Sequence, residues 1–162
     1  ATGGVGSYAV QIAKSLGVEV TGTCSAASLD YLSSLGADHV LDYRKTALDH
    51  LDGKFDVVLD AVSNSSFAAS APILAPRGIY ITLLPSPRLI TGKILSLFSS
   101  RKCAMIVVRS RTETLTRIGG MIEDGAITVA VAASYPLSHL RDALLVFKEG
   151  GVKGKIGIVV EA

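Results

Sequence analysis

The residues whose types and spacing bear on chemistry stand at the head of the chain: Ala1-Thr2-Gly3-Gly4-Val5-Gly6. They lead into apolar residues at helical spacing, Tyr8, Val10, Ile12, Ala13 and Leu16, closed by Gly17. A glycine-rich turn that opens a helix suits phosphate binding for two reasons. Glycine has no Cβ to hold a ligand away from the backbone. The helix start offers unpaired N–H groups and the positive end of its dipole. Elsewhere chemistry is sparse. His39, His50 and His139 have no Ser, Cys or carboxylate constellation around them, so none reads as catalytic. Cys24 and Cys103 are far apart, form no CxxC or Cys/His cluster, and read as buried thiols rather than zinc ligands. Asp56 and Asp60 flank an apolar strand and suit capping and loop bonds.

The elements that must position the turn alternate between strand and helix patterns. Val18–Cys24, His39–Tyr43, Phe55–Val62, Gly78–Leu84, Cys103–Arg109 and Lys155–Val160 read as strands, and Ile127–Ala132 as extended. Phe55–Val62 is near-continuously apolar, the type buried on both faces of a parallel sheet. Helices are expected at Ala27–Leu35, from Ser65 or Ser66 to Leu74, and at Leu89–Phe98, Thr114–Glu123 and Ser138–Lys148, with a weak turn at Thr46–Leu51. This alternation predicts an α/β fold, a doubly wound Rossmann-type parallel sheet. Ligands of such sheets lie across the carboxyl ends of the strands. The loops that matter are then Ala1–Gly6, Cys24–Ala27, Tyr43–Lys45, Val62–Asn64 and Leu84–Pro87.

Composition narrows the function classes. The 162 residues are 49% apolar and lightly charged, which fits one ordinary domain with a buried core. A net charge of +2 makes no case for nucleic-acid binding on charge alone. No signal peptide and no apolar run long enough for a membrane span is present, so a cytoplasmic location is expected, or a mitochondrial one if a leader is removed. Leu89–Phe98 carries an apolar face of Ile90, Ile94, Leu97 and Phe98 among Arg88, Lys93, Arg101 and Lys102. Basic amphipathic helices can lie on membranes, but cover of a sheet or a dimer interface is the expected role here.

The strand after the first helix normally ends in an acid when the ligand is NAD, because that carboxylate accepts from the ribose hydroxyls. Here it ends Thr23-Cys24-Ser25-Ala26-Ala27, with no acid. Ser25 can donate to a phosphate oxygen, and Tyr43 can do the same. Arg44 and Lys45 are candidate counter-charges. NADP(H) is therefore expected over NAD(H).

Four segments follow one another in order: Ala1-Thr2-Gly3-Gly4-Val5-Gly6; Leu35-Gly36-Ala37-Asp38-His39-Val40-Leu41-Asp42-Tyr43; Phe55-Asp56-Val57-Val58-Leu59-Asp60; and Gly154-Lys155-Ile156-Gly157-Ile158-Val159-Val160. Together they resemble the nucleotide-binding and C-terminal part of medium-chain dehydrogenases/reductases, most of all the zinc-independent NADPH quinone oxidoreductase branch. The resemblance implies pyrophosphate contacts from Gly3, Gly4, Val5 and Gly6. It implies a 2′-phosphate site at the strand end of Cys24 and Ser25, with Tyr43. It puts the adenine and the nicotinamide-side ribose near Ala61, Val62 and Ser63 and near Leu83 and Leu84. It also implies homodimers formed by edge pairing of Cys103–Arg109. Hydride transfer from NADPH to a small quinone or enone-type acceptor is the implied reaction. Residues 1–110 would be the nucleotide-binding domain, and 111–162 would pack with a substrate domain.

Three features depart from that pattern. No basic residue comes shortly after Ser25, Ser63-Asn64 stands where Gly-Gly is common, and neither the first strand nor a substrate domain precedes Ala1. That strand is central in a doubly wound order, so its absence should split the sheet and expose two strand edges. A fragment of a longer protein is expected rather than a complete chain that borrows a strand. Alone it should bind cofactor without turnover, and no residue of it is assigned as catalytic. The alternatives are a non-catalytic NADPH-binding or dimerisation module and an enoyl reductase fragment of a multidomain synthase.

Overall fold

The computed structural model describes residues 1–48, 51 and 53–160. The chain forms two compact units, one from Ala1–Asp42 with the chain from Arg111 onward, the other Tyr43–Ser110. Every strand pairing among the described residues is parallel. The α/β class and the parallel sheets follow the expectation. β1 (Thr21–Cys24) and β2 (His39–Asp42) form one sheet; β3 (Phe55–Asp60), β4 (Leu74–Thr82) and β5 (Lys102–Met105) form a second; β6 (Val131–Pro136) and β7 (Lys155–Val159) form a third. Among the described residues each of the three sheets is confined to one unit.

In the first unit α1 (Gly6–Ser15) runs from the glycine turn and stops at Gly17, whose φ of +72° suits glycine. α2 (Leu29–Ser34) follows a 3-10 turn at Ala26–Ser28. Val10 of α1, Cys24 of β1 and Leu32 of α2 meet in a core with Leu35 and Ala37. The two helices thus pack on the sheet as the apolar spacing requires. A Cβ on Gly22 would meet the Leu32 side chain at 2.8 Å, so helix and strand approach closely there. Gln11 ties α1 to the C-terminal part of the unit: its Nε2 donates to the Thr128 carbonyl, and Thr128 N donates to its Oε1. α5 (Thr112–Glu123) and α6 (Leu140–Glu149) complete the unit.

In the second unit Val58, Tyr80 and Cys103 are register partners across β3, β4 and β5. They face α3 (Phe67–Ser70), where Phe67, Leu74 and Tyr80 form the core. Ser66 caps α3, its Oγ accepting from Ala69 N. β3 corrects one expectation. Val57 is 55% and Leu59 39% exposed, so the strand is not covered on both faces. Side chains alternate along a strand, and within this unit the helices pack on the Val58 face alone.

Two boundaries differ for identifiable reasons. β4 begins at Leu74, where the sequence suggested helix, because Pro76-Arg77-Gly78 is a bulge inside the strand rather than a stop. The pairing shifts register between Phe55 and Val57, and Arg77 takes φ +68°. The edge strand expected at Cys103–Arg109 is strand only for Lys102–Met105. Its partner β4 ends at Thr82, opposite Met105, and Ile106 N makes the final bond to the Thr82 carbonyl. α4 (Pro87–Leu97) packs on its sheet by a face other than Ile90, Ile94, Leu97 and Phe98, so of the two roles expected for that apolar face it is the sheet cover that is corrected. Gly92 faces Cys103 Sγ and the Phe67 Cβ, whereas Ile90, Ile94, Leu97 and Phe98 are exposed. The expected turn at Thr46–Leu51 falls partly outside the described residues, as does His50.

Candidate functional site

The glycine turn leaves the start of α1 open. α1 starts with no side-chain cap and no acidic residue in its first turn, so its leading N–H groups face no competing anion. Ser7 N donates to the Gly3 carbonyl at 3.0 Å, which closes the turn directly into the helix. Gly6 has no room for a side chain: a Cβ there would lie 2.5 Å from the Ala1 carbonyl oxygen. Ala1 N in turn donates to the Thr23 carbonyl, which ties the turn to β1. Gly3 has open space where its Cβ would be.

One residue at the turn escaped the sequence reading. A Cβ on Gly4 would lie 2.8 Å from Lys155 Nζ, so the ammonium of β7 stands over the turn. That ammonium is 5.7 Å from the Tyr8 ring centroid. Lys155 is held there because its own N–H donates to the Ala130 carbonyl, while Gly154 N donates to Thr2 O. Its place after Gly154, which takes φ +93°, was the available signal; its approach to Gly4 across the chain was not.

Cys24 and Asp42 are register partners at the carboxyl ends of β1 and β2, so the chain leaves the two strands at Ser25 and Tyr43. Ser25 opens the 3-10 turn without a side-chain cap bond, which leaves its hydroxyl uncommitted to the helix. Asp42 is a carboxylate at this end that the reading of the β1 terminus did not count; it is buried. Tyr43 begins the second unit, exposed, with the Arg44 guanidinium 5.9 Å from its ring centroid. Burial pushes the thiols of Cys24 and Cys103 up. Both should therefore react slowly with a disulfide reagent such as DTNB at neutral pH and quickly, as two thiols, in denaturant.

In the second unit Asp60 organises the other predicted loops. Its carboxylate is buried and accepts from Ser63 N at 2.7 Å, Ser65 N at 2.9 Å and Val62 N at 3.3 Å. Tyr80 Oη donates to the same carboxylate at 2.7 Å, and burial together with that bond drives the Tyr80 pKa far up. Ser63 is held at φ +59°. Its Oγ bonds Thr82 Oγ1 at 2.7 Å and accepts from Leu84 N at 3.2 Å. Ala61–Ser63 and Leu83–Leu84 are thus joined into one rim at the carboxyl ends of β3 and β4. The loop role read for Asp60 is what the structure shows.

The histidines require a correction. His39 Nε2 lies 2.9 Å from Glu19 Oε1, a partner that folding brings near, and His139 Nδ1 lies 3.0 Å from Asp142 Oδ2, three residues on. Both pairs are exposed. Among the described residues no three His, Cys, Asp or Glu side chains gather as a metal site would need.

Comparison with known proteins bears on the family and the fold. Residues 35–158 match the family model described as zinc-binding dehydrogenase. A chloroplast envelope quinone oxidoreductase homolog of Arabidopsis thaliana is 33% identical over 162 residues, 96% of this chain and 49% of that protein. An NADPH-dependent alkenal/one oxidoreductase from the chloroplast of the same plant is 29% identical over 158 residues, 95% of this chain and 37% of that protein. The quinone oxidoreductase of Coxiella burnetii superposes with a TM-score of 0.88 at 24% identity, over 99% of this chain and 50% of that one. The chain thus spans about half the length of the first relatives it matches. With parallel strands, a glycine turn that opens α1 and a family match over most of its length, this chain belongs to the zinc-binding dehydrogenase family of oxidoreductases, and its fold is that of the medium-chain quinone oxidoreductases.

Proposed function

We propose that this chain is the nucleotide-binding portion of an NADPH-dependent oxidoreductase that passes a hydride to a quinone or enone-type acceptor. The observation that carries the reading is the uncapped start of α1 behind Gly3, Gly4, Val5 and Gly6, with the Lys155 ammonium beside Gly4. The turn's N–H groups and Lys155 hold the pyrophosphate. Ser25 and Tyr43 bind the 2′-phosphate at the strand ends that Cys24 leads to. The Ala61–Val62–Ser63 and Leu83–Leu84 rim receives the ribose on the nicotinamide side. The redox chemistry is the nicotinamide's when it is bound; this chain's residues orient it and exclude water. Residues 1–110 act as the nucleotide domain, and 111–162 belong with the substrate domain of the whole protein. The open edge of Lys102–Met105, continued by Ile106–Arg109, pairs two copies.

The test is a titration of NADPH, and separately NADH, followed by nicotinamide emission, which the absence of Trp leaves clear of protein background. Saturable binding with NADPH preferred is the expected result. Lys155→Ala should weaken NADPH roughly tenfold or more, the loss of one charge-assisted contact, with unchanged circular dichroism. Tyr43→Phe with Ser25→Ala should reduce the preference for NADPH while leaving NADH binding as it was. Equal affinity for both nucleotides in the parent chain would sink the 2′-phosphate assignment but leave the pyrophosphate site.

A further inference from the structure

Within its own unit the outward face of α4 is uncovered by the described residues. Leu89, Gly92 and Ser96 turn inward, with Gly92 against Cys103 Sγ and the Phe67 Cβ. On the opposite side Ile90 is 65%, Leu97 79% and Phe98 88% exposed, and Ile94 lies between them. At 100° per residue these four make one continuous apolar crest. Lys93 borders it on one flank and Arg88 on the other, while Arg101 and Lys102 lie just past the helix end. Arg88 is steadied by donating Nη1 to the Asn64 carbonyl at 3.1 Å, and Arg101 by donating Nε to Leu74 O at 2.9 Å. Neither bond neutralises the charge, and none of these four cations has an ion-pair partner among the described residues. The sequence around them is one-signed. Between Ala61 and Ser110 stand Arg77, Arg88, Lys93, Arg101, Lys102 and Arg109, with no Asp or Glu.

We propose that α4 seats the protein on an anionic lipid bilayer, lying in the plane of the interface with Ile90, Ile94, Leu97 and Phe98 among the acyl chains and the flanking cations at the headgroups. This goes beyond the nucleotide reading and does not depend on it. Apolar side chains at the crest and cations at its borders are the two attractions that hold an interfacial helix. The 11 residues of α4 are too few to span a bilayer, and no helix among the described residues is long and apolar enough to do so. A second copy seated on this crest, as distinct from one paired along the β5 edge, fits less well, because no acid between Ala61 and Ser110 offsets the cations that border the crest. Nucleic acid fits the charge but not a crest of four exposed apolar side chains, since such interfaces are polar.

The test is co-sedimentation of the full chain with vesicles of phosphatidylcholine containing phosphatidylglycerol, and with vesicles of phosphatidylcholine alone. Binding to the anionic vesicles, weakening as salt rises, is the expected result. Lys93→Gln should weaken it about fivefold, the worth of one basic residue near a charged surface. Phe98→Ser should weaken it about tenfold, the worth of one buried aromatic ring. Both side chains are exposed, and circular dichroism checks that each variant folds; the salt dependence of the parent chain stands whether or not they do. Three results overturn the proposal: no sedimentation with anionic vesicles, sedimentation indifferent to lipid charge, or preferential binding of a duplex oligonucleotide. A two-chain mass by light scattering that Phe98→Ser reduces to one overturns it as well, because the crest then belongs to a second copy.

Discussion

Gly6→Ala should abolish measurable NADPH binding and lower the urea midpoint of the first unit. The added Cβ would stand 2.5 Å from the Ala1 carbonyl oxygen and 2.7 Å from its carbonyl carbon. These are backbone atoms, and no side chain can rotate away to make room. Overpacking of this kind costs roughly 1–3 kcal/mol. The larger effect falls on the ligand. To relieve the contact the turn must shift relative to β1, to which Ala1 is bonded through Thr23, and the N–H groups at the start of α1 lose their aim. Gly3→Ala is the matched control. A Cβ at Gly3 meets nothing within 4 Å, so the fold should be unchanged, and any loss of NADPH affinity then reports close approach of the ligand itself. Urea unfolding and nucleotide emission on the two variants separate the effects. If Gly6→Ala binds NADPH as the parent chain does, the turn is not the phosphate site.

Asp60→Ala should be the most destabilising single change in the second unit. It leaves three backbone N–H groups and the Tyr80 hydroxyl without their common acceptor. Bonds to a charged group contribute about 1.5–3 kcal/mol each, and part of the loss is recovered by water at the loop, so about 3 kcal/mol is expected overall. Asp60→Asn keeps one acceptor oxygen and should cost less. Tyr80→Phe removes a single donor and should cost least, about 1 kcal/mol. The ordering of the three urea midpoints is the measurement. Equal midpoints for Asp60→Ala and Tyr80→Phe would mean that the Val62–Ser65 turn does not rely on the carboxylate. Because Ser63 keeps its left-handed φ only while that turn is held, Asp60→Ala should also weaken NADPH binding at the Ala61–Leu84 rim.

The order of elements was legible because it is written in local periodicity. The apolar spacing of α1, the stop at Gly17, the β3 run and the Ser66 cap each depend on residues a few positions apart. The glycine turn was legible for the same reason, since it is a run of residues with no side chain at the start of an amphipathic helix. The Pro76-Arg77-Gly78 segment misled because the residues that end a helix also make a strand bulge. Only the pairing partner Phe55 decides between the two.

By itself, then, the sequence determined a parallel α/β fold of the dehydrogenase type and the place of the glycine turn that opens α1. The tertiary structure decided what depends on distant residues meeting. It brought Lys155 to Gly4 over some 150 positions, set Asp42 opposite Cys24, and gave His39 its carboxylate partner Glu19. It also decided which face of α4 is packed. Both faces of that helix carry apolar residues, and the small Gly92 lets the inner one approach Cys103 and Phe67 while the larger side chains remain outside. Periodicity shows that a helix has an apolar face; what lies against that face depends on packing between elements far apart in the chain.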